Sequence, residues 1–220
     1  MTNDECCRGV CAKRLRDALG ARRSERGYNA FTLIELIVVV GVIIILTGLV
    51  LSTVGYARKK GARARAETEI AAMSAALESY KADNGIYPRN NVTDNLNAQT
   101  SGDPSSFQTA SQYLYGELSG DRNFNYVIDP SEQGNRSYFA FKSNPPSADG
   151  TSNSGMLSIT RSGNTYTVNY IRDPFGNSYG YSTANQANQS NGYNPTFDLW
   201  STAGTTSGST TDRNQWIKNW

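Results

Sequence analysis

The sequence predicts an α+β fold in which a long N-terminal helix, half transmembrane and half amphipathic, packs on a small antiparallel β-sheet head. Three observations carry that expectation. Residues 31–54 are mostly Ile, Val and Leu, and no charge occurs from Leu36 to Ala57. Next, Ile70, Met73, Leu77 and Tyr80 recur at helical spacing among alanines. Finally, the C-terminal third alternates short apolar runs with turn signals. The apolar run is long enough to span a bilayer at 1.5 Å per residue. The spaced stripe is narrow enough to bury one helix face. The alternating runs suit strands that need cover on one side, and the stripe can provide it.

The expected helix runs from Phe31 to Asn84 as one element. Gly41, Gly48, Gly55 and Gly61 are the places along it that favour bending or melting. Gly85, after Asp83-Asn84, is a left-handed stop, and Pro88 prevents continuation. Arg63 with Glu67 and Arg65 with Glu69 are spaced to pair across one helical turn. With acids interleaved in this way, the basic run from Arg58 to Arg65 reads as a solvated helix face rather than a lipid or DNA patch. Residues 89–156 are rich in Asn, Ser, Thr, Asp and Gly. They are expected to be mostly surface loop with one short helix near Ser111–Leu118. Strands are expected at Met156–Thr160, Thr165–Ile171, Ser178–Ser182 and Thr196–Ser201, separated by turns at 162–164 and 173–177. Trp200, Trp216 and Trp220 read as packing residues of a small head.

Composition removes several function classes. There is no histidine, so His-based triads and His-ligated metals are excluded. All three cysteines, Cys6, Cys7 and Cys11, lie in residues 1–30. That block carries seven Lys or Arg against four acids, a net +3. The whole chain is +2, so residues 31–220 carry −1 and give nucleic-acid binding little support. Basic residues flank the apolar run on both sides, so charge leaves its orientation open. Without nucleophile, phosphate-loop or metal-ligand constellations, the chain is not expected to be an enzyme.

One acid interrupts this pattern. Glu35 sits inside AFTLIELIVVV (Ala30–Val40), where a carboxylate in a bilayer is rare without a role. Ala30 followed by FTLIEL and a long apolar helix resembles the N-terminal signal of type IV pilins and type II secretion pseudopilins. DNGIYP (Asp83–Pro88), DPFGNSYGY (Asp173–Tyr181), FDLWS (Phe197–Ser201) and the terminal Asn219-Trp220 are similar to the major pseudopilin branch of that family. The resemblance covers Ala30–Pro88 and Asp173–Trp220 and leaves 89–172 unplaced. The residue before the cut is Ala30, where the family prefers Gly; the nearest glycine is Gly27.

The resemblance implies a pilin-like architecture: a cytoplasmic leader at 1–30 that is removed, a transmembrane and fibre-core helix at 31–54, and its amphipathic continuation at 55–88. A polar insertion at 89–156 and a sheet with its C-terminal loop at 157–220 complete the head. It implies a structural subunit of a type II secretion pseudopilus, cut by prepilin peptidase between Ala30 and Phe31, N-methylated at Phe31, and polymerised through its N-terminal helix. Glu35 is implied as the assembly residue, paired with the new α-amino group of Phe31 on a neighbour. Implied partners are further copies of the chain, minor pseudopilins, the peptidase, the inner-membrane secretion platform and the lipid bilayer. The implied location is the inner membrane, crossed once, with the head in the periplasm. A type IV pilus subunit, or a membrane-anchored periplasmic enzyme or binding protein, is the alternative. Relatives bind calcium in an acidic loop before the terminal Asn-Trp. Between Ser201 and Trp220 this chain has one acid, Asp212, which is thus the candidate ligand for calcium, the one cofactor implied.

Overall fold

In the computed structural model, residues 31–129 and 136–220 are described, and the expected leader, with Ala30 and the three cysteines, lies outside them. The chain divides into two units after Ser52. Helix α1, Leu33–Asn84, contributes to both. It runs through Gly41, Gly48, Gly55 and Gly61 without a break in helical structure. Its end is as expected. Gly85 adopts φ 80 and its N–H donates to the Lys81 carbonyl at 2.7 Å, which closes the helix in a conformation that a β-carbon disfavours.

Within the second unit, the predicted stripe is the buried face of α1. Ala66, Ile70, Met73, Ala76 and Leu77 are buried in the main core, with Tyr80 packed against it. The same core takes in Leu157, Ile159, Val168, Ile171, Tyr181 and Leu199 from the strands, with Tyr179 just before β4. The strands form two three-stranded antiparallel sheets where one was expected. The first joins β1 (Gly150–Ser152), β2 (Leu157–Ser162) and β3 (Thr165–Ile171). Its hairpin closes as the sequence predicts, with Gly163 at φ 60 between paired Ser162 and Thr165. The second joins β4 (Gly180–Ser182), β5 (Asp198–Ser201) and β6 (Ile217–Lys218). The turn at Asp173–Asn177, closed by the Asp173 N–H on the Asn177 carbonyl at 2.8 Å, lies where the chain passes from the first sheet to the second.

The polar segment holds more helix than expected at its start, while 121–129 and 136–149 carry no helix or multi-residue strand, as expected of surface loop. Helix α2 (Asn91–Asn95) starts on a capping box between Asn90 and Thr93, and a single 3₁₀ turn (Pro104–Phe107) starts on Asp103. Helix α3 (Gln108–Ser119) is longer than the expected 111–118 and ends at Gly120 with φ 90. Its Leu114 and Leu118 enter the main core. Leu96, Ala98, Phe107 and Ala110 form a second core with Trp200 and Trp216. Asn90 and Asp103 cap helix ends here, a use that average polarity does not separate from loop. Two further one-turn helices, α4 (Ala184–Ala187) and α5 (Thr210–Arg213), complete the head.

Candidate functional site

The N-terminal end of α1 brings two of the sequence's candidates together. Phe31 precedes the helix and is 87% exposed. Thr32 caps the first turn: its hydroxyl accepts the Glu35 N–H at 3.3 Å, while Glu35 Oε2 accepts the Thr32 N–H at 2.8 Å and the Thr32 hydroxyl at 2.7 Å. This is a reciprocal capping box, satisfying donors at both ends. The sequence reading missed Thr32, although Thr-x-x-Glu before an apolar run is its signature. Glu35 is therefore an acid with a local partner and a remaining lone-pair capacity. Around it, every large apolar side chain from Phe31 to Leu51 is between 47% and 87% exposed. The helix's mean hydropathy reaches 3.0, enough in length and composition to cross a membrane. A helix apolar on all sides requires cover from lipid or from other helices.

In the head, the family-like segments meet one another physically. The Asp173 carboxylate accepts the N–H groups of Phe175 at 3.0 Å and Asn177 at 2.8 Å, and the Ser201 hydroxyl at 2.6 Å. That ties DPFGN to FDLWS. Asp198 accepts the N–H groups of Tyr193 and Asn194 at 2.9 and 2.8 Å. The terminal Asn219 side chain accepts the Leu199 N–H at 2.9 Å and donates to the Phe197 carbonyl at 3.2 Å. Tyr181 donates to the Pro88 carbonyl at 2.7 Å, and Tyr179 to Glu69 at 2.7 Å, so the strands are also pinned to α1 and its exit. Burial pushes the carboxyls of Asp173 and Asp198 upward, against the hydrogen bonds that favour their charged forms. Trp200 packs under the same strands, stacked on Trp216 at 6.0 Å.

Asp212 lies in α5, where one carboxylate oxygen accepts from the Ser207 hydroxyl and its N–H donates to the Ser209 hydroxyl at 3.2 Å. No group of three His, Cys, Asp or Glu side chains comes together among the described residues. Asp212 is the one carboxylate here, so a hard divalent cation, which takes six to eight oxygens, would need its other ligands from carbonyls and hydroxyls of 201–211. The loop is held by other bonds: Asn177 Nδ2 to Thr202 Oγ1 at 2.8 Å, Trp216 Nε1 to Thr205 Oγ1 at 3.2 Å, and Arg213 Nε to the Gly208 carbonyl at 2.7 Å.

Residues 53–156 match the family described as type II secretion system, protein G. Over that stretch the chain is similar to type II secretion protein G. A curated protein of Klebsiella michiganensis, named type II secretion system core protein G, is 39% identical over 67 residues, 30% of this chain. The match spans 45% of that relative's length. No solved structure matches the chain. The family match runs through 89–156, the segment that the sequence motifs left unplaced.

Proposed function

We propose that the chain is a structural subunit of a type II secretion pseudopilus and does no chemistry of its own. The carrying observation is the N-terminal half of α1, an apolar helix exposed on every side with one capped acid in its first turn. Such a helix suits two environments in succession, lipid before assembly and a bundle of identical helices after it. Prepilin peptidase cuts between Ala30 and Phe31, and Phe31 is then N-methylated. Before the cut the Phe31 nitrogen is a neutral amide; afterwards it is a cation that Glu35 of a neighbouring copy can neutralise. Burial of either charge alone is costly, so cleavage licenses assembly. The head faces the periplasm and adds copies and minor pseudopilins to the growing fibre on the inner-membrane platform.

Mass spectrometry of the membrane-extracted protein tests the reading. A mature chain beginning at Phe31 is expected. One that begins at Met1 or Tyr28 overturns it.

A further inference from the structure

Tyr56, Lys59, Lys60 and Arg63 occupy one face of α1 at i, i+3, i+4 and i+7 spacing, in register with the stripe that is buried from Ala66 onward. The head does not cover this stretch. A cleft of about 310 Å³ lies there, with Phe175 of the Asp173–Asn177 turn and Ala203 of the C-terminal loop on its far side. No acid lines it. Arg63 is committed, paired with Glu67 at 3.3 Å and donating to the Gln215 carbonyl at 2.9 Å, so it ties the helix to the loop. Likewise Glu69 neutralises Arg65 at 2.6 Å. The interleaved acids thus answer only the later half of the basic run. Arg58, Lys59 and Lys60 have no hydrogen-bond or ion-pair partner among the described residues.

We propose that this cleft seats an anionic phospholipid, with Lys59 and Lys60 on the phosphate and the Tyr56, Phe175 and Ala203 surfaces against the upper acyl or glycerol carbons. The occupant must carry negative charge beside apolar surface, which free phosphate lacks. Arg58, Lys59 and Lys60 are also the first charges along the chain after the uncharged run of 36–57, the point at which a spanning helix reaches headgroups. The proposal rests on the membrane-anchored reading and adds a lipid preference to it. The bound lipid would fill the uncovered face of α1 while the subunit waits in the bilayer.

The full chain in mild detergent is offered equal amounts of phosphatidylglycerol and phosphatidylcholine and weighed intact by native mass spectrometry. Retention of phosphatidylglycerol is expected, falling about fivefold for each lysine removed in a Lys59→Gln/Lys60→Gln variant and returning in Lys59→Arg/Lys60→Arg. Neither lysine has a bond to lose, so both variants are expected to unfold at the wild-type temperature. Equal retention of the two lipids, or a glutamine variant that retains phosphatidylglycerol as well as wild type does, overturns the proposal. So does a glutamine variant that changes only self-association, which would make the cleft an interface between copies. Flotation with neutral vesicles separates the two readings: a chain that floats but shows no lipid preference fails the cleft alone, and one that does not float fails both.

Discussion

Residues 33–51 and 66–80 lie on one helix, yet their side chains meet opposite fates. In the first stretch every large apolar residue is exposed; in the second, Ala66, Met73 and Leu77 have no exposed surface at all. The difference is one of patterning. Residues 33–51 are apolar on all faces and cannot be covered by a head that touches one side. Residues 66–80 confine their apolar positions to one stripe, with Glu67, Thr68, Glu78 and Ser79 facing water. The later stretch is completed by its own chain, whereas the earlier one is built for something the chain does not contain.

Replacing Glu35 by Gln breaks this contrast at its most sensitive point, with the largest expected effect. Gln keeps an oxygen for the Thr32 N–H and hydroxyl, so the capping box and helix start survive. Only the charge is lost. Membrane insertion is expected to be unharmed, and fibre assembly to fail, because each Phe31 ammonium entering the bundle lacks a counter-charge, at about 3–5 kcal/mol per subunit. Fibres at normal yield, seen by electron microscopy, would separate Glu35 from charge pairing.

Leu77→Ala and Ile44→Ala test the two stretches directly. Leu77 is fully buried, so its truncation is expected to cost about 2–5 kcal/mol in denaturant unfolding of the head. Ile44 is exposed, and its truncation is expected to leave that unfolding unchanged. Equal effects would mean that the head also depends on the apolar half.

Gly180→Ala comes next. Gly180 pairs with Trp200 across the β4–β5 ladder, and a β-carbon there would lie 2.1 Å from the indole. Overpacking of this kind typically costs about 1–3 kcal/mol. Thermal unfolding that matches wild type would show that Trp200 can move aside.

How much of this could be read beforehand follows the same divide. The long helix, its stop at Gly85, the buried stripe, both Arg–Glu pairs and the β2–β3 hairpin were legible, because each is a local pattern with a fixed period or spacing. The division into two sheets was not, since it rests on pairing of β5 with β4 and β6, which lie 15 or more residues away on either side. Phe107 and Leu96 escaped notice because a few apolar residues in a polar segment carry no period, and the partners that bury them, Trp200 and Trp216, are distant in sequence. Within the candidate site, Glu35 stood out by being an acid among aliphatics. The cleft did not, because its far wall comes from residues more than a hundred positions later.

Asp173→Asn sharpens the claim that the head is held by its own hydrogen bonds. Burial raises the Asp173 carboxyl above its usual range, so the folded state binds that proton more tightly than the unfolded chain does. Stability therefore falls as pH rises from the ordinary carboxylate value through the raised one, and is level above it. Asp198, shifted the same way, adds to the slope. In Asp173→Asn the slope is expected to shrink, with neutral-pH stability within about 1 kcal/mol of wild type. An unchanged slope in a pH series of denaturant melts would mean that Asp173 ionises as freely when folded as when unfolded.

The smallest expected effect is that of calcium, and it bears on whether the C-terminal loop is completed from within, like the stretch at 66–80, or from outside, like that at 33–51. A ligand that binds only the folded state raises stability by an amount that grows with its concentration over Kd, so a real site shows itself at millimolar calcium. Asp212 offers one carboxylate with an oxygen already accepting from Ser207, and bonds from Asn177, Arg213 and Trp216 already hold the loop. Millimolar calcium is therefore expected to leave the unfolding temperature where it was, in wild type and in Asp212→Asn alike. A rise in wild type that disappears in Asp212→Asn would mean that Asp212 exchanges its Ser207 bond for the cation, with carbonyl and hydroxyl oxygens of 201–211 supplying the other ligands. The loop would then be finished by a partner from solution, and self-sufficiency would end at β5.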